Sequence, residues 1–403
     1  MALLLVTHTN SNQVHLPLVL LLVFGTAKLL GYICERFGQP GLVGEIIGGV
    51  VLGPSVLNWV RPDEVLTALA EMGAIFLLFR VGLEVKASDL IRVGGTALTT
   101  AVLGVVLPFV LGWFAMRMMG VSTIEAVFVG AALVATSIGI TARVLASKGL
   151  LQQRASQVIL AAAVIDDVLG LLVLAGVEST AEGHLNFVAL STTVIMGVAF
   201  TVLVAQYGTR TVQHIMPKLE RAVGLEEAQF HLAMVLLFAL ALSAVSVGIA
   251  AIVGAFLAGM TLSETVKHRV HDLAHGITEL LVPFFLVSIG LHLDLSVFAS
   301  PITLWLTASI CAAALLSKVV GCGLGAWKLG RADMLRVGVG MIPRGEVGMV
   351  VAQIGLSLGV IEKPVYAAVV SMAIVTTLVA PPMLKYAYRN CRPGIPQQEL
   401  RIA

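Results

Sequence analysis

Thirteen apolar runs, most near twenty residues, repeat along the chain with short polar stretches between them. They lie near 15–35, 40–59, 65–82, 91–117, 123–147, 155–177, 187–207, 226–246, 248–264, 273–292, 302–326, 335–359 and 364–388. An α-helix needs ~20 apolar residues to cross the hydrocarbon core of a bilayer. The pattern therefore predicts an all-α polytopic membrane protein of about thirteen transmembrane helices. Several runs carry polar residues at mid-depth. Run six holds Asp166 and Asp167 side by side, run five holds Ala135-Thr-Ser-Ile-Gly-Ile-Thr141, and run twelve holds Gly340-Met-Ile-Pro-Arg-Gly-Glu-Val-Gly348.

Composition agrees with the pattern. Charged residues make up 12% of the 403 residues and hydrophobic ones 58%, about half the usual charge of a soluble chain. Lys and Arg set the orientation. With the N-terminus outside, the inside loops and C-terminal tail hold seventeen of them, from Arg36 to Arg401, and the outside loops only Arg61, Arg117 and Lys363. That positive-inside bias predicts a multi-pass protein of the cell inner or plasma membrane with a cytoplasmic C-terminus. Cys34, Cys311, Cys322 and Cys391 form no CxxC pair and imply neither a disulfide nor a metal framework. No cleavable signal peptide is expected. Nothing in the pattern calls for an enzyme, a resident cofactor or a nucleic-acid partner.

A carboxylate at the centre of a membrane helix costs roughly 2.5–3.5 kcal/mol on the insertion scale and by default marks an ion or proton site with a partner. Lys318, near the middle of run eleven, matches Asp166 in depth and is the candidate partner. Lys28 and Arg143 lie nearer helix ends, where they can snorkel, and Arg80 with Glu84 reads as an i,i+4 ion pair. Glu45 and Glu71 read as locally paired.

The interruptions in runs five and twelve fit no ordinary helix. Gly139, Pro343 and the glycines around Arg344 break a membrane helix only where the freed backbone groups meet protein or water. Run five travels out-to-in and run twelve in-to-out, the arrangement expected of an inverted-topology repeat with two broken helices at the midplane. Such a crossing would place backbone carbonyls and the Thr136 and Ser137 hydroxyls beside Asp166 and Asp167. Hard oxygen ligands of that kind suit a small alkali cation.

The acidic pair, Ala135–Arg143, Pro283-Phe-Phe-Leu-Val-Ser-Ile-Gly290, Lys318, Pro343-Arg-Gly-Glu-Val-Gly348 and Gly44-Glu-Ile-Ile-Gly-Gly-Val-Val-Leu-Gly-Pro54 together resemble the monovalent cation:proton antiporters of the Kef/Nap-like branch. The resemblance covers nearly the whole chain. It implies a homodimer, with a dimer domain at 1–88 and 223–298, a mobile core at 89–180 and 299–403, and a linker helix at 181–222. It implies that Asp167 is the main ligand of the transported Na+ or Li+, joined by Asp166, Thr136 and Ser137, and that Asp166 meets Lys318. Gly139, Pro343, Arg344, Glu346 and Arg143 would support the broken helices, with Glu346 tying off Arg143 or Arg344. The potassium-transporting Kef members carry Gln-Asp at the acidic pair and resemble the chain less.

Adjacent helical residues point about 100° apart, so one acid can face a cavity while its neighbour faces Lys318. The pair should titrate as a coupled unit, with cation and proton competing for one charge. The expected function is electrogenic sodium/proton antiport by alternating access. Potassium/proton antiport on the same fold is the alternative, and a cation channel or ion-gated sensor a more distant one. His268, His271 and His275, on one face of a cytoplasmic helix start, could sense pH but read first as a solvated interface.

Overall fold

The computed structural model describes residues 11–37, 39–182, 187–223, 228–266, 268–292, 295, 300–344, 346–389 and 391. Among them the chain is helical throughout. The elements in order are α1 (Ser11–Arg36), α2 (Gly41–Leu52), α3 (Glu64–Leu83), α4 (Ala87–Met118), α5 (Thr123–Ala132), α6 (Ile138–Ser147), α7 (Arg154–Glu182), α8 (Phe187–Leu203) and α9 (Thr209–Val223). After these come α10 (Ala228–Ser246), α11 (Ala251–Leu262), α12 (His268–Leu291), α13 (Pro301–Gly325), α14 (Arg331–Gly340), α15 (Glu346–Ser357) and α16 (Lys363–Ala387). A π-helical segment, Val204–Gly208, joins α8 to α9. Seven of these helices, α1, α3, α4, α10, α12, α13 and α16, contain a stretch long and apolar enough to cross a membrane.

The thirteen runs map onto these elements once the two broken ones are counted as pairs, α5–α6 and α14–α15. The order of long, short and paired helices then repeats: that of α1 to α7 returns, after α8 and α9, in α10 to α16. The 12-residue α2 answers the 12-residue α11, and the two broken pairs answer each other.

Runs two and nine come out shorter than expected, at 12 residues each, about 18 Å of helix. Gly53-Pro54 ends α2, and the turn through Gly248 (φ 83°) delays α11. Run seven comes out longer. The basic stretch after residue 208, beyond the apolar run but within the linker helix expected at 181–222, forms the amphipathic α9.

Two compact units divide the chain, with boundaries inside α3 and α12. One comprises Met1–Gly73 and Glu279–Ser296. In it Gly49 of α2 and Gly290 of α12 lie so close that a Cβ on either would strike the other helix's backbone. A small apolar core of Val23, Leu52, Phe284 and Val287 closes around them. Lys28 does not simply snorkel there: its Nζ lies 3.4 Å from Glu45 and 3.5 Å from Glu279.

The second unit, Ala74–Thr278 and Val297–Ala403, contains both broken helices. Its most extensive packing joins α4 to α13, where Gly321 and Gly325 let the backbones of Leu103 and Thr100 approach. Thr99 Oγ1 donates to Gly325 O at 2.8 Å. Lipid tails are as apolar as leucine side chains, so small residues and interhelical hydrogen bonds are what associate membrane helices. The Arg80–Glu84 pair closes at 4.0 Å, and His268 Nδ1 lies 3.0 Å from Asp272 Oδ2.

Candidate functional site

The first break follows from a strong start and a weak continuation. Ser122 caps α5 by accepting the Glu125 N–H at 3.2 Å, a Ser-x-x-Glu capping box in sequence. The helix then ends at Ala132, and Leu133–Ser137 run unwound until α6 begins at Ile138. The second break has a different cause. Pro343 has no N–H to donate and disfavours helical backbone in the residue before it. α14 accordingly stops at Gly340, and Met341–Arg344 are non-helical.

The two breaks touch. Ser137 N–H donates to Pro343 O at 2.7 Å, and Thr141 Oγ1 donates to Gly340 O at 2.6 Å. α16 satisfies more of the freed backbone, since Arg344 N–H donates to Thr376 Oγ1 at 3.3 Å and Thr377 Oγ1 donates to Arg344 O at 2.8 Å. These are the partners an unwound backbone needs at membrane depth. Gly139 is buried on the first turn of α6.

Arg344 is the clamp of the crossing. Its guanidinium is buried and extends from the second break to the first, where Nη1 donates to Val134 O and Ala135 O, both at 3.0 Å. Nη2 donates to Ala314 O on α13 at 3.3 Å. A planar fork that stays charged suits this task, because it binds the carbonyls beyond the negative end of α5. Sequence reasoning paired Arg344 or Arg143 with Glu346. Arg344 takes backbone carbonyls, and the Glu346 side chain lies outside the described residues. Arg143 is half-buried on α6.

One turn beyond Ala314 on α13 stands Lys318. Its Nζ lies 3.3 Å from Asp166 Oδ1 and 3.2 Å from Oδ2, and both side chains are fully buried. Asp167, the next residue of α7, is only half-buried. The helical turn between neighbours thus gives one acid to the lysine and leaves its neighbour better exposed. Thr136 is buried in the first break, and its Oγ1 has no hydrogen-bond partner among the described residues. Ser137 beside it is half-buried. A buried hydroxyl without a partner costs free energy, which an oxygen-seeking cation would relieve.

Sequence reasoning missed three contributors. Gly104 of α4 faces the acid–lysine pair, and a Cβ there would stand 2.6 Å from Cys322 Sγ, 3.4 Å from Lys318 Nζ and 4.0 Å from Asp166 Oδ1. Cys322 follows Lys318 by one turn and is buried against the same spot. Thr376-Thr377 was the one legible signal, a pair of hydroxyls inside an apolar run. Gly104 looks like any other membrane-helix glycine.

Residues 18–388 match the protein family described as "Sodium/hydrogen exchanger, transmembrane". Among similar proteins, the Na(+)/H(+)-K(+) antiporter GerN of Bacillus cereus is 35% identical, with 91% of this chain and 95% of GerN covered. The high-affinity Na(+)/H(+) antiporter NhaS3 of Synechocystis sp. is also 35% identical, over 93% of this chain and 90% of NhaS3. The solved structure of the sodium proton antiporter MjNhaP1 from Methanocaldococcus jannaschii superimposes with a TM-score of 0.61 at 17% identity, covering 92% of this chain and 96% of that one. At that identity the likeness shows the shared fold.

Proposed function

Since the chain belongs to the sodium/hydrogen exchanger family, we propose that it is an electrogenic sodium/proton antiporter, in which Asp167 binds the transported cation and the Asp166–Lys318 pair handles protons. The observation that carries this reading is the division of labour between adjacent acids. Asp166 is sealed against Lys318, while Asp167, the next residue, is only half-buried on α7, the helix that packs against α5, α6 and α14.

The chemistry follows from charge. Asp167 offers a carboxylate, and the unpartnered Thr136 Oγ1 and the Ser137 side chain offer hydroxyl oxygens. Together with the break's carbonyls these are ligands of the hard kind that Na+ and Li+ prefer. A proton on Asp167 cancels the same charge, so cation and proton exclude each other. When the cation binds, the second negative charge of the pair is engaged, and Lys318 can release its proton from the Asp166 side. More protons than cations then move per cycle, which makes exchange electrogenic. A core that crosses when loaded with cation or protons, and not when empty, couples the two fluxes.

The core consists of α4–α7 and α13–α16, working in a homodimer held by α1–α3 and α10–α12, with α8–α9 as linker. The N-terminus faces outside and the C-terminal tail the cytoplasm. Potassium/proton exchange is kept as a second reading because GerN, at 35% identity, is named for both sodium and potassium.

Asp167→Asn tests the assignment. It keeps shape and removes the ligand charge, so purified variant in proteoliposomes should fold normally and show no sodium-dependent proton flux above protein-free vesicles. Flux near the native level would remove Asp167 from the ligand set. Repeating the native assay with Na+, Li+ and K+ in turn separates the sodium from the potassium reading.

A further inference from the structure

The linker formed by α8, the π segment and α9 carries a stripe that the transport reading does not use. On its outward side Ile195 is 66% exposed and Leu203 57%, with Val202 beside it. Tyr207, at 54%, comes next in the π segment. Exposed Arg210, His214 and Lys218 then follow at four-residue spacing along α9. Four-residue spacing keeps side chains on one helix face. The order along the stripe is therefore apolar, aromatic, cationic.

The opposite side is committed to protein. Gly197 approaches the Ile249 side chain, Gly208 lies so near Thr261 that a Cβ would overlap it, and Met216 is buried. α9 packs against α10 and α11. Among the described residues neither Arg210 nor Lys218 pairs with a carboxylate. Ile215, 46% exposed, flanks the cations with an apolar surface.

An apolar–aromatic–cationic order is what the boundary between acyl chains and headgroups selects, and a basic amphipathic helix with one apolar flank is the form that lies in it. We propose that Arg210, His214 and Lys218 form a docking surface for an anionic phospholipid headgroup of the leaflet where α8 ends. Charge complementarity identifies the occupant, since the exposed cations Arg210, His214 and Lys218 continue an exposed apolar and aromatic surface, the pairing an anionic headgroup with its acyl chains would meet. Its position on the linker would let leaflet composition act on the element that joins the two domains of the proposed transport cycle. The lipid site itself stands whichever cation is transported.

Native mass spectrometry of the full chain released from detergent, titrated with phosphatidylglycerol and separately with phosphatidylcholine, reads the affinity of the first bound lipid. Each arginine or lysine near a membrane surface contributes roughly fivefold in affinity. Lys218→Gln should weaken phosphatidylglycerol binding about fivefold, and Arg210→Gln/Lys218→Gln about 25-fold, with phosphatidylcholine unchanged. Arg210→Lys/Lys218→Arg, which keeps both charges, should bind as the native protein does. Unchanged phosphatidylglycerol affinity in the glutamine variants overturns the proposal. So does full displacement of the lipid by inorganic phosphate at matched concentration, which would make the surface a free-anion site. A glutamine variant that alters the monomer–dimer balance with lipid affinity intact would assign the stripe to a second copy and overturn it equally.

Discussion

Lys318→Gln probes both halves of the proposed mechanism. The native ammonium lies 3.2 Å from Asp166 with both groups fully buried. At an effective dielectric constant of 20 that separation is worth about 5 kcal/mol of attraction. Desolvating the two ions costs several kcal/mol each, so the intact pair contributes little net stability. Removing one partner is different, because it leaves Asp166 as an uncompensated buried charge, at about 3–5 kcal/mol. Lys318→Gln should therefore lower the unfolding free energy in detergent by about that much, while Asp166→Asn/Lys318→Gln recovers most of the loss. The functional arm is sodium-driven current on proteoliposomes: a native current that Lys318→Gln abolishes or renders voltage-insensitive. Native exchange without any current would refute the titrating role and leave Lys318 a fixed counter-charge. Equal stability of the native and single-variant proteins would refute the electrostatic bookkeeping itself.

Gly104→Ala should destabilise the protein by about 1–3 kcal/mol and raise the half-saturating sodium concentration, because the added methyl would sit 2.6 Å from Cys322 Sγ and 3.4 Å from Lys318 Nζ. Adding Cys322→Ala should recover at least half of the stability loss. Strictly additive effects in that double-mutant cycle would mean the two positions do not share the space. Arg344→Lys keeps the charge but loses the fork that reaches Val134, Ala135 and Ala314. It should cost about 1.5–3 kcal/mol, the scale of charged hydrogen bonds, in the same unfolding assay, and native-like stability there would falsify the clamp.

The chain's class was readable from pattern alone. Thirteen apolar runs, few charges and a one-sided distribution of Lys and Arg leave a helical membrane protein as the economical solution, because backbone polar groups in lipid must be satisfied within each segment. The breaks were readable too, since Pro343 and the Thr-Ser-Ile-Gly stretch 136–139 contradict the apolar runs around them. Equal depth within their runs makes Asp166 and Lys318 candidate partners. Local rules operate at each of these places: propensity, hydropathy, and the cost of a lone charge.

Tertiary structure alone decided who satisfies whom. Arg344 stands in the second break, and nothing local to it names its partners. Only the crossing shows that three carbonyls, two of them more than two hundred residues away, take the guanidinium. Gly104 gained meaning only when α4 met α13 closely enough for a missing methyl to make room for Lys318 and Cys322. The α9 helix lies outside the apolar runs because its hydrophobic residues occupy one face, and a window average cancels that face against the basic one. Long-range contacts of this kind depend on which backbones approach, and approach is set by packing across segments distant in sequence. Local sequence determined that a charged, broken centre must exist, and the packing of α4, α7, α13 and α16 determined which atoms it contains.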